Sequence, residues 1–419
     1  MTLYAPDGYL YEWEQAAFSS QPLIVQGYHP HSAQWHLHDS SARFRILTCG
    51  RRWGKTFACV AEMMKQALEH PRSLCWWVAP FNRQSLIAYR LARRALSPFI
   101  QKAFNGSLRL ELTNESVLEF RSAAIPDTLR GEGVDLVVVD EAALVRREAW
   151  EEALRPTLTD TGGRAIFIST PKGRNWFYEL FLRGQDPKYP EYQSFTFPTS
   201  SNPLIPASEL EEVKSTLPDS VYQQEYEAVF LDESAGVFRN IHACIQGVCE
   251  PPQFGREYIL GVDLARKTDY TVLTCMDVKE KKVVAFDRFN QVSWQFQIER
   301  IVQMAQQYND AQVIVDSTGL GDVVMEALEQ RGLYVEGFHF TQRSKQQLIE
   351  NLQLLLEQEE IHFPDIPDLI HELEIFGYEM TKSGNMTFSA PPGAHDDCVM
   401  SLALACWALK EHAPMQIFV

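Results

Sequence analysis

The sequence predicts an α/β protein built as two successive sheet-and-helix units. Three observations carry this. Short apolar runs alternate with helix-period stretches over residues 44–169, a proline-punctuated break follows at 196–236, and a second alternating series starts at residue 258. Strands that alternate with helices long enough to cross over them pair in parallel, with helices on both faces of the sheet.

In the first unit, strands are expected at 44–48, 73–79, 117–120, 136–139 and 165–169, with helices such as 56–69 and 83–96 between them. Pro198, Pro203 and Pro206 then break the pattern and a short polar helix follows, which reads as a connecting subdomain. In the second unit, strands are expected at 258–262, 271–277, 283–290 and 313–315, and helices at 293–308, 322–331, 344–358 and 396–411. Residues 379–390 read as a hairpin turning at Ser383-Gly384-Asn385. The expected division is 1–195, a linker or lid at 196–250, and 251–419.

With 419 residues, 45% of them hydrophobic and 22% charged, the chain has the composition of an ordinary globular protein of two or three domains. No apolar run reaches the ~18–20 residues of a membrane span, and residues 1–10 lack the basic start and apolar block of a signal peptide. None of the eight cysteines forms a CxxC pair. Cys59, Cys75, Cys275 and Cys406 sit in apolar context, which suits reduced thiols in a cytosolic compartment. The net charge of −17 divides unevenly, with 24 Lys+Arg against 29 Asp+Glu up to residue 235 and 14 against 26 beyond it. Any contact with nucleic acid is therefore confined to local basic strips or helped by cations. Arg83, Arg90, Arg93 and Arg94 form one such stripe at helical spacing, and Lys382 is the one cation of the 379–390 hairpin; a solvated face explains both equally well.

Residues 49–56, CGRRWGKT, follow the first strand and match the phosphate-loop pattern G-x-x-x-x-G-K-[ST] everywhere but the first position, where Cys49 stands. Gly50 follows at once and can supply the sharp turn. Backbone N–H groups at a helix start favour anions. Gly54 lets the backbone approach, Lys55 is placed for the β- and γ-phosphates, and Thr56 for Mg²⁺. The apolar run at 136–139 ends in Asp140 and Glu141, and another ends in Ser169 and Thr170. Asp140 can hold Mg²⁺ and Glu141 can orient and deprotonate water. Asp and Glu also enrich first turns of helices, but the three motifs together, each at a strand tip, point to ATP hydrolysis.

Phosphoryl transfer also needs a cation on the developing charge. Arg51 and Arg52, inside the loop, and Arg130, beside Gly131 and Gly133, are the candidates; a solvated loop arginine is the alternative for Arg130. Gln34 lies upstream, where some ATPases read adenine. Zinc is not expected at His29, His31, His36 and His38, whose spacing is mixed, nor at His242, Cys244 and Cys249.

The second unit repeats a different device. Asp263 and Asp316 each end an apolar strand, and Asp396 and Asp397 open an apolar helix. Carboxylates gathered at one sheet edge repel one another and call for metal. Hard oxygen donors point to Mg²⁺ or Mn²⁺, and two ions about 4 Å apart would serve phosphodiester cleavage. Asp269 is a supporting ligand or a turn former, Asp396 a ligand or a cap, and Asp322 a helix N-cap.

The chain resembles the large terminase subunit of tailed double-stranded DNA bacteriophages. The resemblance is carried, in order, by GRRWGKT (50–56), LRGEGVDLVVVDEAAL (129–144), STPKG (169–173), NP (202–203), QEYEAVF (224–230), GVDLARKTDYTV (261–272), VDSTGLGD (315–322) and HDD (395–397). It implies an N-terminal ATPase of the additional-strand P-loop class with a parallel-rich sheet and a C-terminal ribonuclease H-like nuclease. It implies ATP with Mg²⁺ at Lys55, Thr56 and Asp140, Glu141 as catalytic glutamate, Ser169-Thr170 as coupling motif and Arg130 as an arginine acting in trans. Asp263, Asp316, Asp396 and Asp397, with Asp269, match the nuclease ligands for Mg²⁺ or Mn²⁺. The implied partners are double-stranded DNA, a portal protein and a small terminase subunit, with five copies in a ring at the portal vertex, in the host cytoplasm. The alternative is a helicase-like or repair ATPase fused to a nuclease.

Overall fold

A strand buried on both faces is apolar at nearly every position, and β1 (Phe44–Cys49) is buried throughout. The computed structural model of the chain describes residues 28–231, 236–264, 269–318, 321–380, 386–391 and 393–409. They form two compact units, the first dominated by residues up to 213 with 220–232, the second by 233–381 and the segment from 385 onward. No helix among the described residues is long and apolar enough to cross a membrane.

The first unit is built on an eight-stranded sheet. After β1 come β2 (Leu74–Ala79), β3 (Ile100–Phe104), β4 (Arg109–Leu112), β5 (Val117–Ser122), β6 (Leu136–Asp140), β7 (Arg164–Ser169) and β8 (Tyr192–Phe197), in the order β3-β4-β5-β2-β6-β7-β1-β8. All pairs from β5 to β8 are parallel, and only the β3-β4-β5 edge is antiparallel. β7 lies between β1 and β6, so an extra strand separates the loop-bearing strand from the one ending in Asp140. This is the additional-strand arrangement that the resemblance implied. The helices α1 (Ser32–His38), α2 (Lys55–Glu69) and α3 (Asn82–Ala95) accompany it.

Three of these strands escape sequence periodicity. β3 is exposed at all but one position, and β8, an edge strand, mixes exposed and half-buried residues, so neither presents an apolar run. β4 alternates but is only four residues long.

The second unit contains a five-stranded sheet of β9 (Tyr258–Asp263), β10 (Thr271–Asp277), β11 (Lys282–Phe289), β12 (Gln312–Asp316) and β13 (Val335–Phe338), in the order β11-β10-β9-β12-β13. The first three pair antiparallel and the last two join in parallel, the ribonuclease H-like topology. A small hairpin, β14 (Gly377–Met380) with β15 (Met386–Ser389), stands apart; its expected turn and Lys382 lie outside the described residues. The helix Asp397–Ala408 is buried on almost every side. It packs so closely on β9 that a Cβ on Gly261 would fall 2.2 Å from the carbonyl of Ser401. Ser401 Oγ bonds the Gly261 carbonyl at 3.0 Å and Thr274 Oγ1 at 2.7 Å, which fixes the helix on two strands. Asp322 falls at the second position of the helix Gly321–Glu329.

Candidate active sites

Cys49 is fully buried in the core beneath α2, and its thiol is pushed up by burial. It fills core space while the turn passes to the next residue. Gly50 admits no side chain, since a Cβ there would lie 2.3 Å from Thr199 Oγ1 and 2.4 Å from the Tyr226 carbonyl. The loop is held from several directions. Gly50 N donates to Phe197 O at 2.9 Å and Thr199 Oγ1 to Arg51 O at 2.7 Å. Asn202 Nδ2 donates to Arg52 O at 2.8 Å, and the Trp53 indole N–H to Ser201 Oγ at 2.8 Å. Left-handed backbone at Arg52 (φ 62°) and Gly54 (φ 99°) turns the chain into α2. The N–H groups of that helix start have no carbonyl partners within the helix, which makes an anion site.

Gln34 braces this turn. Its Nε2 donates to Gly54 O at 3.2 Å while its Oε1 accepts from His31 N at 3.1 Å. His31 Nε2 lies 3.0 Å from Trp53 O, and His38 pairs with buried Glu62.

Lys55 Nζ stands 3.7 Å from Glu141 Oε1. Glu141 holds left-handed backbone (φ 46°, ψ 49°), a conformation that costs a non-glycine residue on the order of 1–3 kcal/mol and persists where surrounding structure enforces it. Ser169 Oγ, at the tip of β7, donates to Glu141 Oε2 at 3.3 Å, so the two adjacent strand ends β6 and β7 meet at this carboxylate. Asp140 is buried beside it. Burial first and the Glu141 charge second push its carboxyl up to about 7, against the pull of Lys55. Such a carboxylate is stabilised by an added cation. Thr56 is half-buried and Thr170 buried.

The arginines separate. Arg51 bonds the buried carboxylate of Glu225, which also takes Lys172. Arg52 is exposed and makes no ion pair among the described residues. Arg130 pairs at the surface with Asp127 at 3.3 Å and Glu152 at 3.4 Å, neither of them in the phosphate loop. Sequence patterning missed Glu225 and Lys172, because nothing local marks which carboxylate meets which cation across 53 residues.

In the second unit, Asp263 and Asp316 end adjacent parallel strands, next to the paired Val262 and Val315. Asp397 is the first residue of the helix packed on β9. Asp263 is pushed well above the usual carboxylate range, by burial and then by Asp397, Asp396 and Asp316 in that order, with Lys345 opposing. Three of the aspartates expected from sequence thus act on the fourth, Asp263. Asp397 accepts from Tyr270 N at 3.1 Å, and burial pushes it up to about 6. His395 Nδ1 lies 3.5 Å from Asp397 and 3.8 Å from Asp269, which ties Asp269 to the cluster through an imidazole. Asp316 Oδ1 accepts from Thr318 N at 2.7 Å.

Asp396 occupies the N-cap position, but its carboxylate makes no capping bond and meets Lys345 at 3.3 Å; the cap alternative for its side chain is therefore corrected. Glu372 does the capping instead, accepting from Cys398 N at 2.7 Å. Lys345 had a sequence signal, a cation in the first turn of the helix Gln342–Glu357 where the dipole disfavours it. Among the described residues no three His, Cys, Asp or Glu side chains stand close enough around one point to grip an ion as they are. The donor set nevertheless fits a hard divalent cation, since it is all carboxylate and mutually repelling at Asp263.

Comparison with known proteins agrees with this division. Residues 46–242 match the family model described as terminase large subunit, T4likevirus-type, N-terminal, and residues 260–409 match the terminase RNaseH-like domain. The terminase large subunit of Thermus virus P23-45 is 32% identical over 425 residues, covering 90% of this chain and 87% of that protein. The magnesium-bound large terminase nuclease of thermophilic phage G20c is 30% identical over 42% of this chain and 97% of its own, with a TM-score of 0.40. A large terminase from another thermophilic bacteriophage shares the fold over 88% of this chain and 94% of its own, with a TM-score of 0.53 at 14% identity. On the identity and coverage of the Thermus relative and on the two family matches, the chain belongs to the terminase large-subunit family.

Proposed function

We propose that this terminase large subunit, a DNA-packaging ATPase and endonuclease, hydrolyses ATP between the 50–56 loop and Glu141 and cuts DNA at the Asp263 cluster. The observation that supports the ATPase assignment is the line from Lys55 through Glu141 to Ser169. The N–H groups at the start of α2 and Lys55 bind the β- and γ-phosphates. Thr56 and Asp140 would hold a Mg²⁺, which would neutralise phosphate charge. As Lys55 moves to phosphate, Glu141 is freed to orient the attacking water and take its proton. Ser169, with Thr170 behind it, reports the state of Glu141 along β7, and Arg130 serves a neighbouring copy's nucleotide. Residues 1–195 carry this work, with 196–250 as a lid.

For the nuclease, Asp263, Asp316 and Asp397, with Asp396 and Asp269, would hold Mg²⁺ or Mn²⁺, two ions that supply a nucleophilic hydroxide and stabilise the leaving oxygen. The chain's own part is to orient those carboxylates: Tyr270 N fixes Asp397 and Thr318 N fixes Asp316. Lys345 offsets the negative charge at Asp263 and Asp396. The partners are double-stranded DNA, a portal protein and a small terminase subunit, with a five-copy ring at the portal vertex in the host cytoplasm. ATP turnover measured with linear DNA, with and without portal-bearing procapsids, tests this. Stimulation requiring both supports the packaging role; turnover indifferent to both contradicts it.

A further inference from the structure

One buried carboxylate near the nucleotide loop takes no part in the steps above. The two oxygens of Glu225 accept from different cations, one from Arg51 Nε in the phosphate loop and one from Lys172 Nζ in the loop after β7. The Gln224 amide reaches the second oxygen at 3.4 Å. The backbone repeats the connection. Arg51 N donates to Glu225 O at 2.7 Å, and Thr199 N donates to Tyr226 O at 2.7 Å. The Glu225 side chain is 8% exposed, whereas that of Arg51 is 60% exposed and tethered at its head by this carboxylate. Burial alone would raise the Glu225 carboxyl, but Lys172 and Arg51 hold it below its ordinary range. Arg51 also feels the charge of Glu141. Lys172 lies three residues beyond Ser169, which touches that same glutamate.

We propose that Glu225 is a positioning residue for ATP hydrolysis that holds Arg51 and Lys172 as a pair beside the phosphate loop and releases them to the nucleotide's phosphates, a role that rests on the loop being the ATP site. Two cations and one carboxylate leave a net positive charge there. A triphosphate, with more charge than a carboxylate, competes for both. Until it arrives, Glu225 keeps the cations from repelling each other and from pairing with Glu141, so they are preorganised and not recruited from solvent. Because Glu225 lies in the segment that packs on Gly50 and Arg51, release of the pair also loosens that segment from the loop, which links nucleotide occupancy to the 199–226 region.

The test compares full-length wild type, Glu225→Gln, Glu225→Asp, Arg51→Ala and the Arg51→Ala/Glu225→Gln double variant, by binding of a fluorescent ATP analogue, kcat and Tm. Removing the negative charge in Glu225→Gln tightens analogue binding about threefold or more and lowers kcat about tenfold. Glu225→Asp keeps the charge but cannot span both cations, so kcat falls about as far without tighter binding, and its milder change guards against loss of fold. In the Arg51→Ala background, Glu225→Gln lowers kcat by less than about twofold, because its main intermediary is gone. Wild-type kcat in both Glu225 variants, kcat losses that multiply with Arg51→Ala, or parallel loss of affinity and kcat with a lowered Tm would overturn the positioning role while leaving the ATPase reading intact. Failure of the wild type itself to bind the analogue would overturn both.

Discussion

Lys55 Nζ faces Glu141 Oε1 at 3.7 Å, so the cation proposed to grip phosphate and the carboxylate proposed to activate water begin in each other's reach. Replacing each partner separates their duties. Glu141→Gln leaves nucleotide binding within about threefold of wild type and lowers kcat about 10³-fold, as loss of a general base does. Lys55→Ala weakens binding itself. Equilibrium binding and steady-state turnover on the same preparations check this.

The Ser169 hydroxyl joins Glu141 Oε2 at 3.3 Å and lies 3.4 Å from Ala143 N. Ser169→Ala removes one positioning bond without touching the phosphate loop. It is expected to lower kcat about tenfold with little change in KM or Tm. Equal losses in kcat and Tm would assign Ser169 to folding alone.

Behind the loop strand, Glu62 is buried between His38 at 2.7 Å and Arg45. Burial would raise its carboxyl, but Arg45 and His38 outweigh that and hold it at about 2, against 4.5 for a free side chain. A depressed carboxylate contributes stability above its unfolded pKa and loses it as pH falls through the folded one. Stability is therefore expected to drop between about pH 4.5 and about pH 2, by roughly 3 kcal/mol from this group. Glu62→Gln removes that pH-dependent portion in urea unfolding, while lowering stability at neutral pH.

The Asp397 carboxyl shifts the opposite way, up to about 6. Its unfolded pKa is 3.8, so as pH rises from there to about 6 the unfolded state ionises first and stability falls, levelling off above about 6 unless a cation compensates. Mn²⁺ is accordingly expected to raise Tm more at about pH 7.5 than at about pH 5, and Asp397→Asn reduces the difference, the raised Asp263 carboxyl carrying the remainder. A pH-independent metal shift would separate Asp397 from metal binding.

Much of both candidate sites was legible because apolar runs end in the residues proposed to act there. Asp140, Ser169, Asp263 and Asp316 each sit at the last position of a buried strand, so burial of the run fixes where the polar tip emerges. Cys49 at the first loop position is explained by the same logic, since it belongs to the strand and its side chain to the core. What was not legible depends on partners distant in sequence. Glu225 between Arg51 and Lys172, and Glu372 capping Cys398, are long-range electrostatic choices with no period to betray them. β8 and the β3-β4 edge were hidden by half-exposed sequence, which the sheet stabilises through its neighbours' hydrogen bonds.

The two chemistries are separable, since the proposed sites belong to different units of the chain. Plasmid cleavage with Mn²⁺ and ATP turnover, measured side by side on wild type, Glu141→Ala and Asp263→Ala, test this most directly. The expected result is that Asp263→Ala loses cutting and keeps turnover, while Glu141→Ala loses turnover and keeps cutting. Cutting by Asp263→Ala at the wild-type rate would contradict the account.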